Sequence, residues 1–162
     1  MRFLNEALSN NVEKIAPGQS QYSLLLNDQG GVEDDLFVYA INPREFLLVV
    51  NASRIAEDHH LLLARRLGDV EVVNESDSTF AVALQGPRAA GILDAWLEAP
   101  AAAGIARHAW KRLPSRYGEI FVARTGYTGE DGFEILGPDQ VAEKVWRSLL
   151  KAGTGQGLLP CG

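Results

Sequence analysis

The stretch Arg124-Thr-Gly-Tyr-Thr-Gly-Glu-Asp-Gly-Phe-Glu134 crowds three glycines, two threonines, a tyrosine and three acids into eleven residues. Glycine reaches positive φ without steric cost, and here it recurs at every third position, Gly126, Gly129 and Gly132. The spacing predicts a compact loop that presents Arg124, Tyr127, Glu130 and Glu134 together. No lysine follows the glycines, and the acids would repel phosphate, so the loop is not a phosphate cradle. It suits a neutral or cationic ligand that offers N–H donors. Glu134 brings two acceptor oxygens, able to take two parallel N–H bonds from the edge of a flat heterocycle. It is equally readable as a solvated strand position alternating with Phe133 and Ile135. Arg124 is a candidate for a structural pair with Glu130 or Asp131.

Asp34-Asp35 is the second feature. Neighbours on a strand point to opposite faces, so Asp35 shares a face with Phe37 and Tyr39, and Asp34 with Val32, Leu36 and Val38. A carboxylate beside aromatic rings is poorly solvated; its pKa rises, and it becomes able to exchange protons with an amine. The alternative is that both aspartates only terminate a turn. Tyr22 and Tyr127 could wall a flat ring or be half-buried core. Val50 and Asn51 close an apolar strand, where the asparagine needs partners. His59-His60 does not make a zinc site, because adjacent residues on a helix point in different directions. Trp96, Trp110 and Trp146 read as core anchors, and Glu6, Glu13, Glu57 and Glu75 as surface acids.

These residues need strands, turns and helices to hold them. Phe3, Leu4, Ala7 and Leu8 have helical spacing, in a segment ended by Pro17-Gly18. Residues 22–27 and 32–39 are strand-like around the turn Asp28-Gln-Gly-Gly31. Residues 46–51 form a third strand, apolar enough to be buried on both faces. Residues 55–67 read as a helix ending at Gly68, and residues 70–73 as a strand. Residues 80–84 are a strand, followed by a helix from Gln85-Gly86-Pro87 to about Leu97, with the proline near its start. Strands near residues 108–113, 119–124 and 132–136 come next, then a helix from Pro138-Asp139 to about Lys151. Residues 153–162 are glycine-rich loop. The reading is α+β, with mixed, mainly antiparallel sheets and packed helices, in two parts, 1–78 and 79–162.

Composition narrows the function. The 162 residues are 46% hydrophobic and 22% charged, ordinary for a globular protein. Net charge −6 argues against sequence-independent nucleic-acid binding. No apolar run is long enough to span a membrane, and no secretory signal is visible. The single cysteine, Cys161, fits a reducing compartment.

The glycine loop closely resembles that of the folate-binding aminomethyltransferases, the T-protein family of the glycine cleavage system. Residues 21–39 resemble the family's central hairpin, and Leu48-Val-Val-Asn-Ala52 and Leu84-Gln-Gly-Pro87 also match, in the same order. The resemblance runs from about Phe3 to Gly162. It implies the family fold and an activity: transfer of the methylene of an aminomethyl group, held on the lipoyl arm of the H-protein, to tetrahydrofolate, with release of ammonia. No metal or redox cofactor is implied. Residue by residue, it implies Asp35 as the catalytic aspartate and Glu134 as the acceptor for the pterin edge. Tyr22, Val50, Asn51 and Tyr127 are the expected folate contacts. It also implies that Asp35 and Glu134 face one cavity. By resemblance the chain is an internal part of a longer enzyme, lacking a folate-contacting arginine that follows Gly162. Weak folate binding and self-association through uncovered apolar surface are therefore expected. The expected location is the cytoplasm in a bacterium, or the mitochondrial matrix in a eukaryote. Folate-dependent demethylases resemble the chain as well, but the full loop with Asp34-Asp35 favours aminomethyl transfer. Folate-binding repair or regulatory relatives carry a cysteine motif where this chain has Thr125-Gly-Tyr127.

Overall fold

The turn Asp28-Gln-Gly-Gly31 closes a hairpin between β1 (Ser20–Leu26) and β2 (Val32–Asn42). Asn27 fastens it: its N–H donates to Gly31 O at 2.8 Å, and its Oδ1 accepts from Gly31 N–H at 2.8 Å. β3 (Glu45–Val49) pairs with the other side of β2, giving an antiparallel sheet of order β1-β2-β3. The computed structural model describes residues 1–161; Gly162, the end of the expected C-terminal loop, lies outside the described residues. The chain divides into two compact units, Met1–Asn74 and Glu75–Gly162.

In the first unit the period of two decides the packing. Leu25, Leu36 and Val38 are fully buried in a core with Phe3, Leu4 and Ala7 of α1 (Arg2–Ala7), Val12, and Leu62 of α2 (Ile55–Ala64). Asp34 alternates with Leu36 and Val38 and so shares their helix-facing side. Tyr22, Asp35, Phe37 and Tyr39 occupy the opposite side, in the register Tyr22↔Phe37 and Leu24↔Asp35.

Four expectations are corrected here. The first helix stops at Ala7, because Leu8 turns extended (ψ 155°) and bridges to Leu25. β3 is an edge strand whose apolar residues are only half-buried: a strand with one neighbour cannot be enclosed as a central one is. α2 ends at Ala64, well before Gly68. Residues 70–73 form no strand; Val70 and Val72 pack against the core without pairing.

The second unit is an antiparallel sheet of order β4-β7-β6-β5: β4 (Thr79–Gln85), β5 (Trp110–Ser115), β6 (Gly118–Ala123) and β7 (Gly132–Pro138). Leu84, Val122, Phe133 and Ile135 point from it into a core shared with α3 (Ala89–Leu97) and α4 (Ala142–Gly153). Val145 and Leu149 lie four residues apart on the buried stripe of α4. Trp96 of α3 is buried, and its Nε1–H donates to Ser148 Oγ at 2.7 Å. Pro87 precedes the α3 N-cap, Arg88, rather than starting the helix. Trp146 departs from its expected role as a core anchor: it is 42% exposed, one position past Val145 and turned off the stripe.

The buried central strand and the exposed Trp146 separate experimentally. Ile135→Ala, at a fully buried position of β7, is expected to lower stability by about 2–5 kcal/mol. Trp146→Ala is expected to change it by no more than about 0.5 kcal/mol. Equilibrium urea denaturation followed by far-UV circular dichroism measures both.

Candidate functional site

In the first unit, Asn51 gathers both aspartates. Its Nδ2 lies 2.7 Å from Asp34 Oδ1, 3.1 Å from Asp35 Oδ1 and 3.2 Å from Asp35 O, and its backbone N–H donates to Asp34 Oδ2 at 3.2 Å. Asn51 follows β3 and leads into a 3-10 turn, Ala52–Arg54, whose Arg54 N–H returns to Asn51 O at 2.8 Å. The turn presents the side-chain amide to β2 just beyond the pair Phe37↔Val49. Asn51 itself is exposed, and Val50 is half-buried against the core.

Asp34 and Asp35 divide in environment. Asp34 is buried and Asp35 is half-buried on the other side of the strand. Burial pushes Asp34 up. Hydrogen bonds from Asp58, from the side chain and backbone of Asn51 and from the Asp35 N–H outweigh it and hold the carboxyl below its ordinary value. The strongly desolvated member of the pair is thus Asp34, and it stays ionised. Asp35 bonds the Tyr22 hydroxyl. The phenol is pushed above its ordinary range by desolvation first, then by the Asp35 bond and the charges of Asp35 and Asp34. Tyr22 remains 42% exposed, edge-on to Phe37 with ring centroids 5.8 Å apart. One face of the sheet therefore carries a carboxylate in contact with both a phenol and an amide, with an aromatic ring beside them.

Asp58 was missed as a site residue. It is fully buried on α2, and neither of its oxygens meets an N–H or hydroxyl donor among the described residues. Its pKa is pushed up to about 7, by burial first and then by the bond to Asp34 and its charge. The signal was present: Asp58 stands three residues after Ile55 and four before Leu62, inside the apolar stripe. His59 is half-buried and His60 exposed, and no cluster of three metal-ligating side chains occurs among the described residues.

In the second unit, the glycine loop is organised by Gln85, the last residue of β4. Gln85 Nε2 donates to Thr125 O at 3.1 Å and Phe133 O at 3.2 Å. A Cβ at Gly126 would fall 2.2 Å from Gln85 Oε1, and one at Gly132 2.3 Å from it. Only Gly129 of the three adopts positive φ, +77°. Gly126 and Gly132 are there for close approach, not for the left-handed backbone expected of all three. The matched motif Leu84-Gln-Gly-Pro87 and the glycine loop are thus one device, also tied by Gly86 N–H to Asp131 O at 2.8 Å.

Arg124 is structural, and its acid is Asp131. Nε and Nη2 reach the two carboxylate oxygens at 2.8 and 2.7 Å, while Nη1 donates to Ile105 O at 3.0 Å. The bond to Arg124 lowers the Asp131 pKa, and the same bond raises that of Arg124. The guanidinium lies over the Phe133 ring, 5.4 Å from its centroid. Glu134 is half-buried on β7 and accepts from the buried Thr125 hydroxyl at 2.5 Å. Its cross-strand neighbours are alanines on both sides, Ala83 and Ala123. Tyr127 and Glu130 are exposed on the loop.

Residues 1–162 match the family described as the GCVT N-terminal domain. The chain belongs to that family. It is 40% identical over 163 residues to an aminomethyltransferase of Prosthecochloris aestuarii, covering 99% of this chain and 45% of the relative. It is 41% identical to one of Exiguobacterium sibiricum, covering 100% and 44%. Among solved structures, the glycine cleavage system aminomethyltransferase T of Bartonella henselae superposes with a TM-score of 0.77 at 36% identity, covering 92% of this chain and 40% of that one. The chain spans less than half the length of these GCVT relatives. Its α+β architecture of antiparallel sheets and packed helices is that of the family.

The Gln85 contact in this GCVT domain can be tested directly. Gly132→Ala forces a methyl against an amide that is anchored by two backbone carbonyls, and should destabilise by about 1–3 kcal/mol. In a Gln85→Ala background the same substitution should cost less, because its clash partner is gone. A double-mutant cycle read by equilibrium denaturation gives the difference.

Proposed function

We propose that the protein serves tetrahydrofolate-dependent aminomethyl transfer in a glycine cleavage system. The methylene of an aminomethyl group on the lipoyl arm of an H-protein passes to tetrahydrofolate. The observation that carries the reading is the Asp35 carboxylate, held between the Tyr22 hydroxyl and the Asn51 amide at a half-buried position. The names of the two relatives given above, both aminomethyltransferases matched along 99–100% of this chain, support it.

The chemistry sets what the site must supply. Two C–N bonds form, from folate N5 and N10 to the methylene carbon, while the C–S bond to the lipoyl arm and the C–N bond to the amine break. The two protons lost by the folate nitrogens balance the ones gained by ammonia and the dihydrolipoyl thiol. Asp35 is assigned the exchange of these protons, with Tyr22 and Asn51 orienting it. Most of the acceleration comes from positioning the two substrates. Glu134 is assigned the N–H edge of the pterin. Its cross-strand neighbours, Ala83 and Ala123, carry only methyl side chains. Tyr127, Tyr22 and Val50 are assigned ring contacts. We place the reaction in the cytoplasm of a bacterium, in keeping with the bacterial relatives.

Asp35→Asn in the full-length enzyme that contains this chain keeps shape and removes proton exchange. It is expected to lower kcat by about 10²–10⁴-fold with little change in the KM for tetrahydrofolate. Glu134→Ala is expected to raise that KM with a smaller effect on kcat. Steady-state assay of methylenetetrahydrofolate formation from aminomethylated H-protein separates the two. An unchanged kcat in Asp35→Asn would remove Asp35 from the mechanism.

A further inference from the structure

We propose that Asp58 is a positioning residue that carries a proton: its neutral carboxyl donates to Asp34, and Asp34 in turn sets the Asn51 amide that contacts Asp35. For its effect on turnover this rests on the reading above; the proton on Asp58 does not.

Two observations require the proton. Asp58 has no exposed surface, and no N–H or hydroxyl among the described residues reaches either of its oxygens. The side chain it does meet is another carboxyl, that of Asp34, itself only 8% exposed. Two carboxylates cannot share a dry contact while both are charged; one must hold a hydrogen and donate it. The surroundings decide which. Asp34 accepts from Asn51 Nδ2 at 2.7 Å and from Asn51 N–H at 3.2 Å, bonds that favour an ionised acceptor. Asp58 has no such donors, so the proton belongs to it.

The charged groups around the pair agree. Asp34 on β2 raises the Asp58 pKa, Glu57 raises it further, and the Arg54 cation opposes them. Burial is the largest effect. Loss of the proton would set two charges against each other in a water-poor space. Asp34 would be driven away from α2, and the Asn51 amide, which it shares with Asp35, would move with it. The buried dyad is therefore a built-in pH sensitivity of the Asp35 environment.

The sign for stability follows by linkage. The folded-state pKa of an acid is raised here, so between its ordinary value near 4 and about 7 the folded state binds the extra proton. The Asp58 contribution to stability is highest below that window. It falls as pH rises through it, and it is lost above about 7.

The test has two independent arms. Carbon-13 NMR titration of the chain is expected to show Asp58 titrating near 7, far above an exposed aspartate. Denaturation across the same range is expected to show wild type losing stability with rising pH and Asp58→Asn, a permanent neutral donor, lacking that loss. An Asp58 that titrates in the ordinary aspartate range overturns the proposal, and the wild-type titration decides even if the variants fail to fold. In the second arm, Asp58→Ala in the full-length enzyme is expected to lower kcat about tenfold or more through a displaced Asp35. Asp58→Asn is expected to restore it and to remove the decline in kcat above pH 7. Equal loss in both variants, or an unchanged pH profile in Asp58→Asn, would leave Asp58 a packing residue and sink its positioning role. If the full-length wild-type enzyme transfers no aminomethyl group, the functional reading fails while the titration arm still decides the proton.

Discussion

A side-chain amide can donate to carboxylates on both sides of a strand only when it approaches that strand at its edge, where the ladder has ended. Asn51 does this for Asp34 and Asp35. β3 stops pairing at Val49, and the Asn51 side chain continues the connection to β2 in place of backbone bonds. Much of the first unit hangs on that contact. It satisfies a carboxylate on the apolar side of the sheet, where an unpaired charge would be untenable. It also fixes the 3-10 turn that starts α2, and so the placement of Asp58 against Asp34.

The second unit uses the same device with a different amide. β6 and β7 pair only as far as Ala123↔Glu134, and beyond that point the chain must leave the sheet as a loop. Gln85 spans the opening, donating to Thr125 O on one side and Phe133 O on the other. The cost is steric. The amide fills the space in which Cβ atoms of residues 126 and 132 would stand, and only glycine can sit there. Arg124 locks the outer edge by its paired bonds to Asp131. Glu134, just inside, is aimed by Thr125.

What could be read from the residues was what depends on periodicity and on turn chemistry. The hairpin at Asp28-Gln-Gly-Gly31, the four-stranded sheet of the second unit and the stripe of α4 follow from alternation of two, from 3.6 and from glycine. What could not be read was edge against centre. Phe46, Leu47 and Leu48 look like a buried strand, yet β3 has a neighbour on one side only. Residues 70–73 have strand composition, yet Val70 and Val72 pack against the core without joining a sheet. The glycines were legible as a tight loop, but the reason for two of them lay forty residues away in Gln85, a contact that no local pattern reports. Asp58 was hidden by its charge: an acid on a helix reads as solvated, and only its place between Ile55 and Leu62 says otherwise.

Adjacent aspartates at 34 and 35 make physical sense as a division of labour imposed by the strand. The two side chains leave the backbone on opposite sides, so the pair cannot act as one site of doubled charge. The inward member is held ionised by an amide and two backbone N–H groups, and it anchors the turn and helix behind the sheet. The outward member keeps a phenol and the same amide as neighbours and retains access to the surface. A glutamate at the inward position would be one methylene too long for the 2.7 Å contact with Asn51, and an asparagine there could not accept at both oxygens. The carboxylate that the proposed chemistry needs is therefore positioned by a carboxylate that does none of it. The electrostatic state of the buried pair behind the sheet, Asp34 with Asp58, is then part of the environment in which Asp35 works.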